Sequence, residues 1–518
     1  MKYILFVLKL ELVYSSYTPY ALLGKSEGKF SDMAEYDLVI RGARVATASD
    51  VFAADIGVTD GKIEALGRSL GNGTEEVDAA GFLVTPGGVD SHCHVEQISS
   101  TGVWTADDWF TATRSAACGG TTTIMPFACQ HKGQSLREVV QQYHALAGPK
   151  AAVDYAFHLI ISDPTEQVLG QELPALIKDG YTSFKIYLTY DALKLSDREF
   201  LDVLAVARRD GAMVMVHAEN NDMITWMAER LIAAGLTAPK YHATARPMLV
   251  EREATHRTIA LAELVDVPVL IVHVSGKEAI DQIRWAQGQG LKVFAETCPQ
   301  YLFLTEGDLD KPGLEGAKHM CSPPPRDEAN QEIVWDALIE GIFEVFSSDH
   351  APYRYDDPEG KLKAGPGAHF KQIANGVPGI EVRMPLLFSE GVLKNRISLP
   401  EFVALTATNA AKLYGLYPRK GTIAVGADAD LVIWDEKKRV TISQSIMHDA
   451  MDYTPYEGRE VTGWPIMTML RGEFVWRDGK FAGEAGGGMF HECDTPPALA
   501  APPRLPTAFD PVAGKLSE

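Results

Sequence analysis

Apolar and polar residues alternate along the segment from Tyr36 to Val84. Stretches such as "YDLVIRGARV" and "DIGVTDGKIEAL" are short, and Asp-Gly and Gly pairs separate them. A period of two is typical of half-buried strands, and Asp-Gly pairs favour the tight turns of hairpins. The segment therefore predicts a small β unit.

A different pattern occupies Gly87 to Leu416, where short apolar runs alternate with longer helical ones. "TTTIMPF" precedes "SLREVVQQYHALA", "SFKIYL" precedes "SDREFLDVLAVARRDG", and "MVMVHAE" precedes "NDMITWMAERLIAAG". Repeated strand-then-helix units predict parallel βα architecture. Seven or eight such units over roughly 330 residues favour an α/β fold with a (β/α)₈ barrel over an open sheet.

Alternating strands return after Gly421, in "GTIAVGADADLVIWDEKKRVTI" and "GWPIMTMLRGEFVWRDGKFAG". We expect the β segments on either side of the barrel to pair into one smaller β-sandwich domain that is split in the sequence. The predicted organisation is an N-terminal extension over 1–32, a β-sandwich over 33–85 and 417–482, a metal-dependent barrel over 86–416, and a tail rich in Gly, Pro and Ala over 483–518.

The first 32 residues are interpreted as lying outside the core. "MKYILFVLKLELVYSS" opens like a signal peptide, but Lys9 and Glu11 interrupt its apolar run, and no clean small-residue cleavage site follows. Met33 opens "MAEYDLVIRGARV", which reads as a natural start. No uninterrupted apolar run of about 18 residues occurs, so we expect no transmembrane helix.

Composition narrows the class of partner. The chain has 518 residues and a formal net charge of −21 at pH 7. An acidic surface repels phosphate backbones, which argues against a nucleic-acid partner. The six cysteines form no CxxC pair, and free thiols in a reducing cytoplasm are the simplest interpretation. We therefore expect a cytoplasmic protein whose main partner is not a nucleic acid.

Polar residues stand where the apolar runs of the predicted barrel stop. Active sites of such barrels lie at the carboxyl ends of the strands, so these residues should share one rim. A lone histidine after an apolar run is most often a hydrogen-bonded core residue, but this set spans five strands. Imidazole and carboxylate ligands suit Zn²⁺, with Mn²⁺, Co²⁺ or Fe²⁺ as replacements. The predicted set is His92, His94, Lys185, His217, His273 and Asp349.

Lys185 is the unusual member, because it lies between Phe184 and Ile186 on a predicted buried strand. An ammonium group is costly there, and a snorkelling or salt-bridged lysine is the ordinary alternative. Burial also lowers an amine pKa, and a neutral amine can add CO₂ to form a carbamate. A carbamate is an anion with two oxygens, so it could bridge two metal ions.

The span from about Ala34 to Arg471 resembles the amidohydrolase superfamily, specifically the dihydropyrimidinase and hydantoinase family of cyclic amidases. The motifs that carry the resemblance are "GGVDSHCH", "SFKIYLTY", "VMVHAEN", "LIVHVSG", "AETCPQYL", "CSPPPR", "SSDHAP" and "ANGVPGIEVRMPLL". The resemblance implies a binuclear centre in which N6-carboxylated Lys185 bridges both metals. It also implies that His92 and His94 bind one metal, His217 and His273 bind the other, and Asp349 binds the first and acts as the catalytic base.

The resemblance also implies how the substrate is held. A tyrosine hydroxyl, here Tyr190, stabilises charge on the carbonyl oxygen, while Ser322 and Asn375 contact the ring mostly through the main chain. Each has an ordinary alternative, which is a core tyrosine for Tyr190 and turn chemistry for the other two. The expected reaction is hydrolytic ring opening of a dihydropyrimidine or a 5-substituted hydantoin to an N-carbamoyl amino acid, by a metal-bridged hydroxide.

Two departures from the family pattern keep other substrates open. Cys93 stands between the two histidines where the family commonly has threonine, and "VEQISSTGVWTADDW" differs from the common continuation. Allantoin, dihydroorotate and cyclic imides therefore remain alternatives. A non-catalytic scaffold is disfavoured because every ligand position is retained. A homotetramer or homodimer is expected from the resemblance alone.

Overall fold

The structure is a computed structural model that describes residues 34–501 and 504–516. The extension predicted over 1–32 lies outside the described residues. Within the described ranges, no helix is long and apolar enough to cross a membrane.

The N-terminal and C-terminal segments form a single mixed sheet of nine strands in the order β18-β17-β16-β15-β5-β1-β2-β3, with β4 also paired to β1. Antiparallel pairing of β5 with β15 joins the two halves. The predicted pairing of β segments split in the sequence is confirmed in this form. The strands are β1 (Tyr36–Ala46), β2 (Val51–Thr59), β3 (Lys62–Gly67), β4 (Gly73–Asp78), β5 (Leu83–Pro86), β15 (Leu431–Thr441), β16 (Glu460–Leu470), β17 (Glu473–Arg477) and β18 (Lys480–Phe481).

The residues between these segments form the predicted barrel. Eight parallel strands follow one another in the order β6-β7-β9-β10-β11-β12-β13-β14, with the short β8 (Asp154–Tyr155) beside β7. A parallel bridge between Cys93 and His350 joins the two ends of the sheet, so the barrel closes. The strands are β6 (Gly88–Cys93), β7 (Thr121–Cys129), β9 (His158–Ile160), β10 (Ser183–Tyr187), β11 (Met213–His217), β12 (Val269–Ile271), β13 (Val293–Thr297) and β14 (Val345–Phe346).

Helices connect successive strands and cover the barrel, and their ends follow sequence signals. Ser196 and Glu199 form a capping box at the start of α4, and Gly211 ends it in a left-handed conformation with φ 92°. The helices are α1 (Trp109–Cys118), α2 (Leu136–Ala147), α3 (Leu173–Lys178), α4 (Asp197–Asp210), α5 (Asn221–Ala233), α6 (Tyr241–Ala245), α7 (Met248–Val265), α8 (Lys277–Gly288), α9 (Pro299–Phe303), α10 (Glu328–Ile339), α11 (Arg383–Leu387), α12 (Leu399–Val403) and α13 (Asn409–Leu413).

The C-terminal segment runs along the end of the barrel where the strands begin. The backbone of Tyr155 exchanges hydrogen bonds of 2.9 and 2.8 Å with Met489 and His491. A short hairpin of β19 (Phe509–Asp510) and β20 (Lys515–Leu516) ends it, and Asp510 lies 2.8 Å from Arg208 of α4. The opposite end of the barrel is left for the residues that follow the strands.

One buried lysine ties the barrel, the mixed sheet and the C-terminal segment together. The Lys420 Nζ lies 2.6 Å from Asp154, 2.9 Å from Asp428 and 2.8 Å from Asp430, and all four side chains are buried. Asp154 also accepts a 2.8 Å hydrogen bond from His491. Burial alone would lower the pKa of Lys420, but the three carboxylates raise it, so the lysine stays charged.

Replacing Lys420 with methionine should destabilise the protein without touching the barrel's other end. Asp430 would be left buried without its cation, and Asp154 and Asp428 would keep only Arg471 and Lys62 as cationic partners, a loss of roughly 3–5 kcal/mol. We expect the midpoint of thermal unfolding to fall by several degrees. Lys437→Met, at an exposed position of β15, is the matched control. Equal midpoints for the two variants would contradict this account.

Candidate active site

The six residues predicted as metal ligands stand at or beyond the carboxyl ends of five barrel strands. His92 lies within β6 and His94 directly follows it, Lys185 lies within β10, His217 ends β11, His273 comes two residues after β12, and Asp349 comes three residues after β14. Because the strands are parallel, their carboxyl ends meet at one rim, and the six side chains converge there.

Nitrogen and oxygen atoms of these side chains face one another at short distances. The His92 Nε2 is 2.7 Å from the Lys185 Nζ and 3.1 Å from an Asp349 carboxylate oxygen. The same oxygen lies 3.5 Å from the His94 Nε2. His92, His273 and Asp349 each offer a ligand atom, and these three atoms lie within 4.8 Å of one another. The arrangement can hold a divalent cation.

Glu296, near the end of β13, orients the imidazole of His92 and holds the backbone of His273. Its carboxylate forms a hydrogen bond with the His92 Nδ1 and accepts one of 3.1 Å from the backbone N–H of His273. A proton on Nδ1 leaves Nε2 as the lone pair that faces the site. All three residues are buried, so this geometry is fixed from within the barrel.

The outer nitrogens of two further imidazoles are also held by oxygen atoms. The His94 Nδ1 lies 2.7 Å from the Gln97 side-chain oxygen, and the His217 Nε2 lies 2.8 Å from Glu219. Arg246 donates a 2.5 Å hydrogen bond to the same Glu219 oxygen. The inner nitrogens, Nε2 of His94 and Nδ1 of His217, are thereby left facing the centre, as ligation requires.

Burial disfavours protons on most nitrogen atoms of the site. His92 is the exception, because Glu296 and Asp349 raise its pKa although burial opposes the shift. Burial lowers the pKa of His217 to about 4 and that of His273 well below the usual range. Burial likewise lowers the pKa of Lys185 to about 8. Burial alone would raise the pKa of Asp349, but the neighbouring His92 holds it well below its usual value. Neutral imidazoles beside an ionised carboxylate are the forms that bind metal.

Lys185 has an environment that suits an uncharged amine. Its side chain is 1% exposed, and its Nζ lies over the rings of Phe127 and Tyr187, 4.2 and 5.1 Å from their centroids. Among the described residues, no carboxylate oxygen forms an ion pair with it within 4.0 Å. The His273 Nδ1 is buried and has no hydrogen-bond partner among the described residues. The donor set therefore fits metal ions.

A cavity of about 230 Å³ opens above these residues. His92 lies beneath it, while the other five predicted ligands line its wall together with Tyr190, Ser322 and Asn375. The Asn375 side-chain oxygen is buried without a partner among the described residues. All nine predicted residues thus meet at one cavity and its floor.

Three of these residues adopt backbone conformations that side chains rarely take. Their φ angles are 65° for Tyr190, 40° for His273 and 46° for Asp349. Such conformations cost of order 1–3 kcal/mol each and persist only where the surrounding structure imposes them. Here they turn the side chains into the cavity directly after their strands.

The rim segment that departs from the family pattern is a short hairpin. Ile98 pairs with Trp104, and the Ser99 N–H donates a 2.8 Å hydrogen bond to the Val103 carbonyl. Ile98, Ser99 and Ser100 line the outer part of the cavity. The hairpin therefore lies at the mouth of the cavity, while Gln97 at the start of the same segment bonds to His94.

Comparison with known proteins identifies the family to which the chain belongs. The model of the amidohydrolase family matches residues 83–475, about three quarters of the chain. The chain belongs to the amidohydrolase family. Within this family it belongs to the D-hydantoinase and dihydropyrimidinase group, because its curated relatives there match along almost their whole length.

Two of those relatives are D-hydantoinases. The one from Rhizobium radiobacter is 44% identical over 457 residues, which cover 88% of this chain and 98% of that protein. The one from Geobacillus stearothermophilus is 45% identical, with 87% and 95% covered. A solved dihydropyrimidinase from Brevibacillus agri superposes with a TM-score of 0.86 at 43% identity, covering 88% of this amidohydrolase and 98% of that chain.

The residues that orient the ligands were not predicted from the sequence. Glu296 and Glu219 stand at or just after strand ends, in "AETCP" and "VHAEN", and a carboxylate in that position is the signal that could have found them. Gln97 lies in the quoted rim segment, but its bond to His94 depends on how the chain turns. Gln300, 3.4 Å from Asp349, carries no such signal.

Replacing Glu296 with glutamine should weaken metal binding in this amidohydrolase while the barrel stays folded. The amide keeps the shape but loses the charge that favours the Nδ1–H form of His92. Loss of such an outer partner typically costs 10–100-fold in metal affinity. The zinc affinity of the metal-free protein is measured by competition with a chromophoric chelator.

Glu344→Gln is the matched control for this measurement. Glu344 is a half-buried carboxylate of the same barrel, directly before β14, and desolvation raises its pKa to about 7. We expect its variant to bind zinc like the unchanged protein. Equal affinities for the Glu296 and Glu344 variants would contradict the role given to Glu296.

Proposed function

We propose that this amidohydrolase opens the ring of a cyclic ureide, a dihydropyrimidine or a 5-substituted hydantoin, by hydrolysis to an N-carbamoyl amino acid. One observation carries the proposal. The small cavity is lined by a histidine, lysine and aspartate centre together with Tyr190, Ser322 and Asn375. Its curated relatives named D-hydantoinase are 44–45% identical over nearly their full length, which supports the same chemistry.

We assign two divalent cations to the centre, most simply Zn²⁺, with Mn²⁺, Co²⁺ or Fe²⁺ as replacements. Bound ions of this kind supply a Lewis acid that lowers the pKa of water and polarises a carbonyl. The inward-facing imidazole nitrogens support the assignment. The proposed ligands are His92, His94 and Asp349 for one ion, His217 and His273 for the other, and Lys185 for both.

Lys185 enters this scheme as a carbamate. Burial lowers the pKa of its amine to about 8, so a substantial fraction is neutral near pH 7 to 8. The neutral nitrogen adds to the carbon of CO₂, a new N–C bond forms, and one proton leaves to solvent. The product shares one negative charge between two oxygens, which would suit a ligand of both ions, and no carboxylate of the described residues pairs with the lysine.

Asp349 is the proposed general base and general acid. Its carboxyl stays ionised at neutral pH, because the neighbouring His92 holds its pKa well below the usual value. It accepts a proton as water attacks the ring carbonyl, so a C–O bond forms. It then gives that proton to the ring nitrogen as the C–N bond breaks. The atoms of one water are thereby added across the amide bond.

Tyr190, Ser322 and Asn375 are the proposed contacts for the ring and for the charge that develops on it. Negative charge grows on the carbonyl oxygen during attack, and the Tyr190 hydroxyl is the proposed donor to it. The alternating N–H and C=O groups of a ureide match the backbone groups around Ser322 and Asn375. Burial raises the pKa of Tyr190, so its hydroxyl keeps the proton that it must donate.

The related reactions on allantoin, dihydroorotate and cyclic imides form the second candidate. The observation that favours it is the rim hairpin, where Ser99 and Ser100 line the mouth of the cavity at the point of departure from the family pattern. Dihydroorotate additionally needs a cation for its carboxylate.

A homotetramer or homodimer is proposed for the assembly, on the family resemblance. A cytoplasmic location is proposed as well. It is supported by the cysteines, which are all unpaired and buried.

A substrate panel with and without chelator tests the proposed reaction. The panel contains dihydrouracil, 5-substituted hydantoins, allantoin, dihydroorotate and succinimide, each assayed with zinc-loaded and chelator-treated protein. We expect the highest kcat/KM for dihydrouracil or a hydantoin, loss of turnover with chelator, and recovery on adding zinc. A higher kcat/KM for succinimide or allantoin would establish the second candidate, and no turnover by metal-loaded protein would refute both.

Replacing Tyr190 with phenylalanine should slow turnover far more than it weakens binding. Removing one donor to the developing oxyanion typically costs 10²–10³-fold in kcat. Steady-state kinetics on the best panel substrate measures it. Tyr353→Phe, which removes a hydroxyl from another wall residue of the same cavity, should stay within a few-fold of the unchanged enzyme. Similar losses in both variants would exclude the role given to Tyr190.

A further inference from the structure

A second buried lysine lies outside the metal site and has no role in the chemistry above. Lys361 is 0% exposed. Within residues 34–501 and 504–516, no carboxylate forms an ion pair with it, unlike Lys420, which has three. A lysine amine buried without an anionic partner is costly, so its hydrogen bonds must serve some purpose.

The Lys361 Nζ donates its hydrogen bonds only to main-chain carbonyls of two other loops. It lies 2.9 Å from the Ala374 oxygen, 2.8 Å from the Gly376 oxygen and 3.5 Å from the Met320 oxygen. An ammonium group has three donors, and here each one has an acceptor. Lys361 thus connects the loop at Met320 with the loop at 374–376. These two loops lie more than 50 residues apart in the sequence.

Those two loops present the residues proposed to recognise the ring. Asn375 lies between the two carbonyls of Ala374 and Gly376, and Met320 stands two residues before Ser322. The loops also bond directly, through a 2.8 Å hydrogen bond from the Gly376 N–H to the Met320 carbonyl. Lys361 therefore bonds to both of the loops that carry Ser322 and Asn375.

The loop that carries Asn375 has little room to move. Gly376 has φ 150°, and a Cβ placed there would lie 2.5 Å from the Ala351 carbonyl oxygen. One residue later, the Val377 carbonyl accepts a 3.0 Å hydrogen bond from the Ala351 N–H. The loop is held against the chain that follows β14 on one side and by Lys361 on the other.

We propose that Lys361 is a positioning residue that sets the separation of the Ser322 and Asn375 loops and thereby the affinity for the substrate ring. The inference rests on the proposed function, because it assigns ring recognition to those loops. Lys361 is not among the residues that line the cavity, and none of its hydrogen bonds reaches a proposed metal ligand. Its loss should therefore weaken binding and leave the chemical step largely intact.

The test compares Lys361→Met with the unchanged zinc-loaded enzyme on the best panel substrate. Methionine matches the length of the apolar stem but removes all three donors. We expect KM to rise at least tenfold, kcat to change less than fivefold, and bound zinc per chain to stay the same. Raised KM at constant kcat is the signature of lost binding that ground state and transition state share.

Two further variants make the result specific. Lys361→Gln keeps a shorter neutral donor and should give a smaller rise in KM than the methionine variant. Lys371→Met, at an exposed position of the segment between Lys361 and Asn375, should leave KM unchanged. Hydrogen exchange of the full-length protein should increase at 320–326 and 374–379 in Lys361→Met, and not at the strand ends that carry the histidines.

Other outcomes would overturn the proposal. A lowered unfolding midpoint with KM within twofold would make Lys361 a residue of general stability, and so would failure of both Lys361 variants to fold. A loss confined to kcat, or a loss of zinc, would place its effect on the metal centre instead. The unchanged enzyme's turnover in the same assay tests the proposed function separately, since only the ratio of variant to unchanged enzyme bears on Lys361.

Discussion

The site depends on how nitrogen atoms can be buried together without protons. Lys185 and four imidazoles converge at the rim of the barrel beside Asp349, and Glu296 and Glu219 bond to the outer nitrogens of two of the imidazoles. Burial lowers the pKa values of Lys185, His217 and His273, whereas Glu296 and Asp349 raise that of His92, so most of these nitrogen atoms are electron-pair donors rather than positive charges. A cluster of this kind suits cations, and we propose that metal ions and a carbamate on Lys185 complete it.

The rest of the barrel directs those lone pairs inward. Glu296, Glu219 and Gln97 hold the outer nitrogens of three histidines, and left-handed backbone at His273 and Asp349 turns their side chains into the cavity. At the other end of the barrel, the ion cluster around Lys420 fastens the mixed sheet and the C-terminal segment. The rim thus carries left-handed backbone at three site residues, and the buried charges at the base compensate one another.

Much of this was predictable because it follows from periodicity. Parallel strands end at one rim, so polar residues after apolar runs mark ligands such as His217 and Asp349, and the split β segments were identified by their alternation. Such patterns do not specify the register of the strands or the packing of the loops. The single mixed sheet depends on β5 pairing with β15, Gln97 reaches His94 through a turn, and Lys361 connects loops whose separation in sequence hides their contact. These features depend on contacts between distant segments, which one sequence does not specify.

The most direct test of the central claim is to observe the carbamate on Lys185. The full-length protein is loaded with zinc in the presence of ¹³C-labelled bicarbonate, and its ¹³C NMR spectrum is compared with that of Lys185→Ala treated in the same way. The account predicts a protein-bound carbamate signal at one per chain, absent from the variant, which should also fail to retain zinc. Full zinc occupancy and turnover in a protein that shows no labelled carbamate would contradict it.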